Sequence, residues 1–384
     1  MRGTRDHDVV LFGATGFTGA LTARYLAAQD GVRWALAGRN AAKLAELRDR
    51  IGVEVPIVLA DLADADSLRR LAESTRVVAT TVGPYVLYGE PLVAACAQTG
   101  TDYVDLTGEP EFVDRMYLRH HETAVRTGAR LVHACGFDSI PHDLGAQFTV
   151  QQLTSDRPIE MRGYVRAGGA ASGGTFASAV NAFARTRQAS AVHRERKAAE
   201  GRPAGRRTRA ISGRPGYDRS IGKWVLPLPT IDPQIVMRSA RALPEYGPDF
   251  SYGHFVALRS PLAAGALVAG VGTAFALAQL PPTRKLLLQA RPPGTGPDEQ
   301  RRARGWFKVR FVATAGDRRV VTEVAGGDPG YTETAKMLAE SALCLAGDDL
   351  PPVAGQVTTA VAMGAVLRSR LERAGITFNV LESS

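Results

Sequence analysis

Three glycines, Gly13, Gly16 and Gly19, stand where a short apolar run (9–12) gives way to apolar residues at helical spacing, Phe17, Leu21, Tyr25 and Leu26. This is the spacing that can seat a pyrophosphate. The first glycine allows a tight turn and the second lets phosphate approach bare backbone. The third lets the following helix pack close to the strand. A helix starting near Phe17 aims its free N–H groups and the positive end of its dipole at the anion. Gly13, Ala14, Thr15, Gly16, Phe17, Thr18 and Gly19 are therefore candidate cofactor contacts.

The residues after the second apolar run choose between dinucleotides. An acid there would accept hydrogen bonds from a ribose 2′-hydroxyl. The chain instead has Gly38-Arg39-Asn40, with Lys43 one turn on. A guanidinium forms charge-assisted, forked hydrogen bonds to a phosphate, so Arg39, Asn40 and Lys43 point to NADP(H). Asp61 and Leu62 would flank the adenine, with a helix-capping role as the other reading of Asp61. Gly83, Pro84 and Tyr85 would meet the nicotinamide end.

Hydride chemistry also needs a proton donor. No tyrosine is followed four residues later by lysine, so the usual Tyr-x-x-x-Lys acid of short-chain dehydrogenases is missing. The segment 133–145, HACGFDSIPHDLG, puts Asp138, Ser139, His142 and Asp143 at a strand-to-helix junction, with Ser139 as a cap and Pro141 in the first turn. Tyr85, Asp138 and Tyr331 are the candidate catalytic residues. Glu109 is a carboxylate behind them. Asp328 lies in a Gly-rich turn that could close over the substrate or simply cap a helix. No Cys-x-x-Cys or His-Glu-x-x-His spacing occurs, so no metal is expected.

Short apolar strands (9–12, 34–37, 56–60, 77–82, 103–106, 131–134) alternate with helical segments across the first 145 residues. That pattern predicts a Rossmann-type α/β domain, a doubly wound parallel sheet with ligands at the carboxyl ends of its strands. With 384 residues, a second domain is expected. We read 1–145 as the cofactor domain and 146–350 as an α+β domain with an open sheet. Residues 351–384 are read as a C-terminal helix and strand returning to the cofactor domain. Three well-separated cysteines suit a reducing cytoplasm.

Two stretches stand apart. Residues 193–223 hold ten Arg or Lys against three acids and read as a mobile surface loop suited to an acidic carrier or anionic lipid. Residues 261–282 contain no charge and are long enough to span a membrane, though rich in Ala and Gly. Membrane-surface contact at the inner face, a buried or homodimer-interface helix, and a true span all remain open for it. Nucleic acid is not expected as a partner.

The motifs GATGFTG, GR, VGPY, DLTGE, CGFDSIPHDLG and GGDPGYTETAKMLAESALCL together resemble the saccharopine dehydrogenase-like oxidoreductases. The resemblance is to their trans-acting enoyl reductase branch and runs over essentially the whole chain. It implies an NADPH-dependent enoyl reductase acting on a small-molecule or carrier-bound lipid of polyketide origin. The alternatives are a C=N or C=O oxidoreductase and a non-catalytic NADP-binding redox sensor.

Overall fold

The computed structural model describes residues 5–153, 156–169, 173–201, 203, 205–290 and 296–384. Six strands, β1 (His7–Phe12), β2 (Trp34–Gly38), β3 (Ile57–Leu59), β4 (Thr75–Thr80), β5 (Asp102–Asp105) and β6 (Arg130–Val132), form a parallel sheet ordered β6-β5-β4-β1-β2-β3. Its strands carry apolar side chains on both faces. Val9 and Leu11 enter one core cluster, while Val10 and Phe12 enter another. This double burial is why they read as unbroken apolar runs. The order reverses between β4 and β1, the crevice where such folds bind ligands.

The second sheet is mixed. It contains β7 (Ile159–Gly168), β8 (Arg207–Ala210), β9 (Gly216–Asp218), β10 (Lys223–Pro227), β11 (Asp249–Leu258), β12 (Trp306–Ala315) and β13 (Arg318–Gly326). β7 lies at its centre, parallel to β11 and antiparallel to β12. The helix Ile140–Val150 packs on β12 and β13, where Gly145 makes room for Phe311 and Val324. One continuous core therefore runs from Leu11 and Val77 through Leu144 to Phe311.

Three expectations need correction. The helix Thr332–Gly347 packs on β1, β4, β5 and the helix Phe17–Ala27, so a second domain running to 350 includes a piece of the first. Its buried face, with Met337, Leu338 and Ala342, leaves it no other place. The C-terminal segment divides between the sheets. Strand β14 (Gly355–Val357) extends the first sheet beside β6, whereas β15 (Thr377–Ser383) joins the second beside β13, away from the cofactor domain.

The basic stretch 193–223, of which 202 and 204 lie outside the described residues, is not a single loop. It begins inside the helix Thr186–Glu200 and continues through β8 and β9 into β10. Arg196 is among the most buried side chains of the protein. It is paired with Asp114 at 2.9 Å and with Glu200, which Arg238 and Arg241 also approach at 3.0 and 2.8 Å. Such pairing is what allows a guanidinium inside a fold.

Candidate active site

The glycine loop joins β1 to the helix Phe17–Ala27. Gly13 has φ +85°, and a side chain there would strike Val82 Cγ2 at 2.5 Å. At Gly19 a Cβ would lie 2.3 Å from the Gly13 carbonyl oxygen. The loop and helix thus touch backbone to backbone. The helix has no side-chain cap at Gly16 and no acid in its first turn. The N–H groups of its first turn, from Phe17 to Gly19, have no partner within the helix and suit an anion.

On one side of this loop, Arg39 and Lys43 stand exposed at the end of β2. Asn40 caps the helix Ala41–Ile51, its Oδ1 accepting from Lys43 N at 3.0 Å, so that oxygen is committed to the fold. Asp61 Oδ1 accepts from Ala63 N at 2.9 Å, a local turn contact, and Asp64 is the cap of the next helix. Leu62 is half-buried against the apolar cluster beneath it. The adenine-side set thus divides into exposed cations and polar groups already partly engaged.

On the other side lie the ends of β4, β5 and β6. Gly83 and Pro84 follow β4 and lead to Tyr85, which requires a correction. Its side chain is turned into the fold, where its hydroxyl donates to Thr80 O at 3.1 Å and accepts from Leu106 N at 3.2 Å. Burial, with the carboxylates Asp105, Glu109 and Asp138 nearby, pushes that phenol well above its ordinary value. Tyr85 is a strut between two strand ends, not a proton donor. Leu87 and Tyr88, immediately after it, are the exposed side chains there.

Glu109 accepts from Tyr85 N at 3.2 Å, Val86 N at 2.6 Å and Ser178 Oγ at 2.6 Å. It ties β4, β5 and the helix Gly173–Ala184 together, and burial raises its carboxyl. Asp105, fully buried at the end of β5, accepts from Thr107 N at 3.0 Å and Ala134 N at 2.9 Å and meets His133 Nδ1 at 2.6 Å. It holds the turn in which Ala134 takes φ +60° and which leads to Asp138.

Asp138 is half-buried over Gly108, whose missing side chain leaves room for it. Its carboxyl is pushed up to about 7, chiefly by burial and then by Asp232 and Asp105, with His142 pulling the other way. Ser139 occupies the N-cap position of the next helix but makes no cap hydrogen bond there. Asp143 instead serves as an anchor, accepting from Ser239 Oγ, Thr359 Oγ and Ala360 N at 2.5–2.8 Å.

Behind Asp138 the fold assembles a group that sequence spacing could not reveal. Asp232 Oδ1 lies 2.8 Å from His142 Nδ1, and its Oδ2 lies 3.5 Å from His254 Nε2. Burial works against the Asp232 charge, but the two imidazoles hold it below the ordinary carboxylate range. Burial lowers His254 to about 4, and its Nδ1 is 3.0 Å from the Tyr252 hydroxyl. Among the described residues this trio is the one group of His, Cys, Asp and Glu whose donor atoms converge closely enough for a cation. Its three members come from three distant segments, so no local motif announces it.

The second domain also covers the glycine loop. The Tyr331 ring meets Phe17 edge-on with centroids 4.8 Å apart, and the Arg302 guanidinium lies 5.5 Å over the Phe17 ring. Tyr331 is 4% exposed, and one turn on Thr334 Oγ1 accepts from Phe137 N, beside Asp138, at 3.1 Å. Asp328 accepts from Gly330 N and Thr332 N at 3.3 and 3.0 Å, so the capping reading describes it.

Comparison with known proteins fits this geometry. Residues 9–132 match the saccharopine dehydrogenase NADP binding domain. The chain is 36% identical to the trans-acting enoyl reductase of Mycobacterium tuberculosis, over 99% of both chains. The chain belongs to the trans-acting enoyl reductase family. A further M. tuberculosis member, named as a candidate enzyme of this kind, is 38% identical over 97% of both chains. Saccharopine dehydrogenase (L-Glu forming) from Saccharomyces cerevisiae shares the fold, with TM-score 0.56 and 14% identity over 98% of this chain and 99% of that one. The family is one of oxidoreductases that bind a nicotinamide dinucleotide. In this chain the glycine cradle and the uncapped helix start fit such a cofactor.

Proposed function

We propose that this protein is an NADPH-dependent reductase that saturates a C=C conjugated to a carbonyl on a lipid- or polyketide-derived substrate. The observation that carries the reading is Asp138. A carboxyl raised to about 7 lies over Gly108, at the β5–β6 end of the crevice. The dinucleotide, when bound, supplies a hydride. Addition at the β carbon moves the C=C electron pair onto the α carbon and carbonyl. Asp138 then gives its proton to the α carbon and is reloaded from solvent. Asp105 and Glu109 position the turns on either side, and Arg39 with Lys43 receives the 2′-phosphate.

The test is NADPH oxidation with matched α,β-unsaturated and β-keto thioesters, using 4-deuterated NADPH and mass analysis of products. One deuteron at the β carbon of a saturated product is expected. Reduction of the ketone alone, or no turnover of either, would remove the enoyl reading. Arg39→Ala is expected to weaken NADPH binding about 10- to 100-fold, the worth of a charge-assisted contact, and to leave NADH binding unchanged. A fluorescence titration showing equal loss for both would exclude Arg39 as the phosphate ligand.

A further inference from the structure

The helix Pro261–Gln279 is apolar and almost wholly uncovered. Only Ala264 and Ala278 are buried. Leu262, Leu267, Val268, Val271, Phe275 and Leu277 are 37–84% exposed, and at about 100° per residue they spread over roughly two-thirds of the helix circumference. A soluble helix normally hides its apolar residues along one stripe. A single docked protein, including a second copy of this chain, covers one face and leaves the others in water. A lipid environment covers all of them.

Chain path settles how lipid can be met. β11 precedes this helix and β12 follows it, and both pair with β7 in one sheet. The chain therefore leaves and re-enters the same domain, so a single pass across a bilayer is excluded. At its ends the chain carries Arg259 and the pair Arg284-Lys285. These flanking cations match an anionic headgroup layer.

The same projection touches the active site. Phe275 meets Phe183 of the helix Gly173–Ala184 at 5.6 Å between centroids, and Gln279 Nε2 donates to Phe183 O at 2.9 Å. One turn earlier that helix presents Ser178 to Glu109, the carboxylate that fixes the end of β4. We propose that the helix Pro261–Gln279 inserts shallowly into the face of an anionic lipid bilayer and sets the crevice at the membrane surface, where a lipid-linked substrate enters without crossing water. The delivery role rests on the enoyl reductase reading; the docking does not.

Flotation of the full chain with vesicles of phosphatidylglycerol and phosphatidylcholine tests it, alongside a Leu262→Glu/Val268→Glu/Val271→Glu variant. The wild type is expected to float, less so at high salt or with phosphatidylcholine alone. The variant should bind at least about 100-fold more weakly, from lost apolar burial and added repulsion, while NADPH binding and turnover of a water-soluble thioester stay unchanged. Absence of wild-type flotation, or equal flotation of the variant, overturns the proposal. A dimer in sedimentation analysis that the variant dissolves, without vesicle binding, would overturn it in favour of a second copy. Vesicle binding is measured without substrate, so its failure is distinct from failure of the catalytic reading.

Discussion

Replacing Asp138 by asparagine is expected to lower kcat about 10²- to 10⁴-fold, the usual worth of a positioned acid, while NADPH binds as before. The change keeps shape and size and removes only the transferable proton. The pH profile gives the sharper signature. Because burial, Asp232 and Asp105 raise this carboxyl to about 7, the donor is loaded below that pH and empty above it. The wild-type rate should therefore fall as pH rises through about 7. In Asp138→Asn the residual rate should lose that limb. A limb that survives in the variant would mean that another group supplies the proton.

The second large effect concerns Asp105. Both of its oxygens are used, on Thr107 N, Ala134 N and His133 Nδ1, and its carbonyl accepts from Cys135 N at 2.7 Å. Asp105→Ala strands buried donors and leaves the His133 ring without its partner. The expected loss in urea unfolding is about 3–5 kcal/mol. Asp105→Asn retains one acceptor oxygen and should cost clearly less. Because the same carboxylate sets the turn before Asp138, the alanine variant should also lose turnover at temperatures where it remains folded. An alanine variant as stable as the wild type would show that the turn is held by other contacts.

The cofactor-binding domain was legible from sequence because its logic is local. Glycine spacing, a strand before it and a helix after it are properties of adjacent residues. Each of β1 to β6 falls within about two residues of its sequence expectation for the same reason. Tyr85 was misread because a strand end does not say which way the next side chain turns. Here a hydrophobic cluster with Phe112 draws it inward. His142, Asp232 and His254 were not legible as a group, since only tertiary folding joins a helix start at 142 to a helix start at 232 and a strand at 254. The basic stretch misled for a related reason. Charge density suggests solvent, but Asp114, about 80 residues away in sequence, brings a carboxylate to Arg196 and permits its burial.

The division of the last strands between the two sheets has a consequence for synthesis. On a ribosome the first 145 residues emerge with Leu11, Val77 and Val104 lacking the helix Thr332–Gly347 that covers their face of the sheet. The second sheet in turn waits for residues 377–383 to complete its edge. Neither half can finish folding while its neighbour is still being translated. The two mature together after the chain has left the exit tunnel, and a nascent chain stalled before residue 332 would display open apolar surface to chaperones.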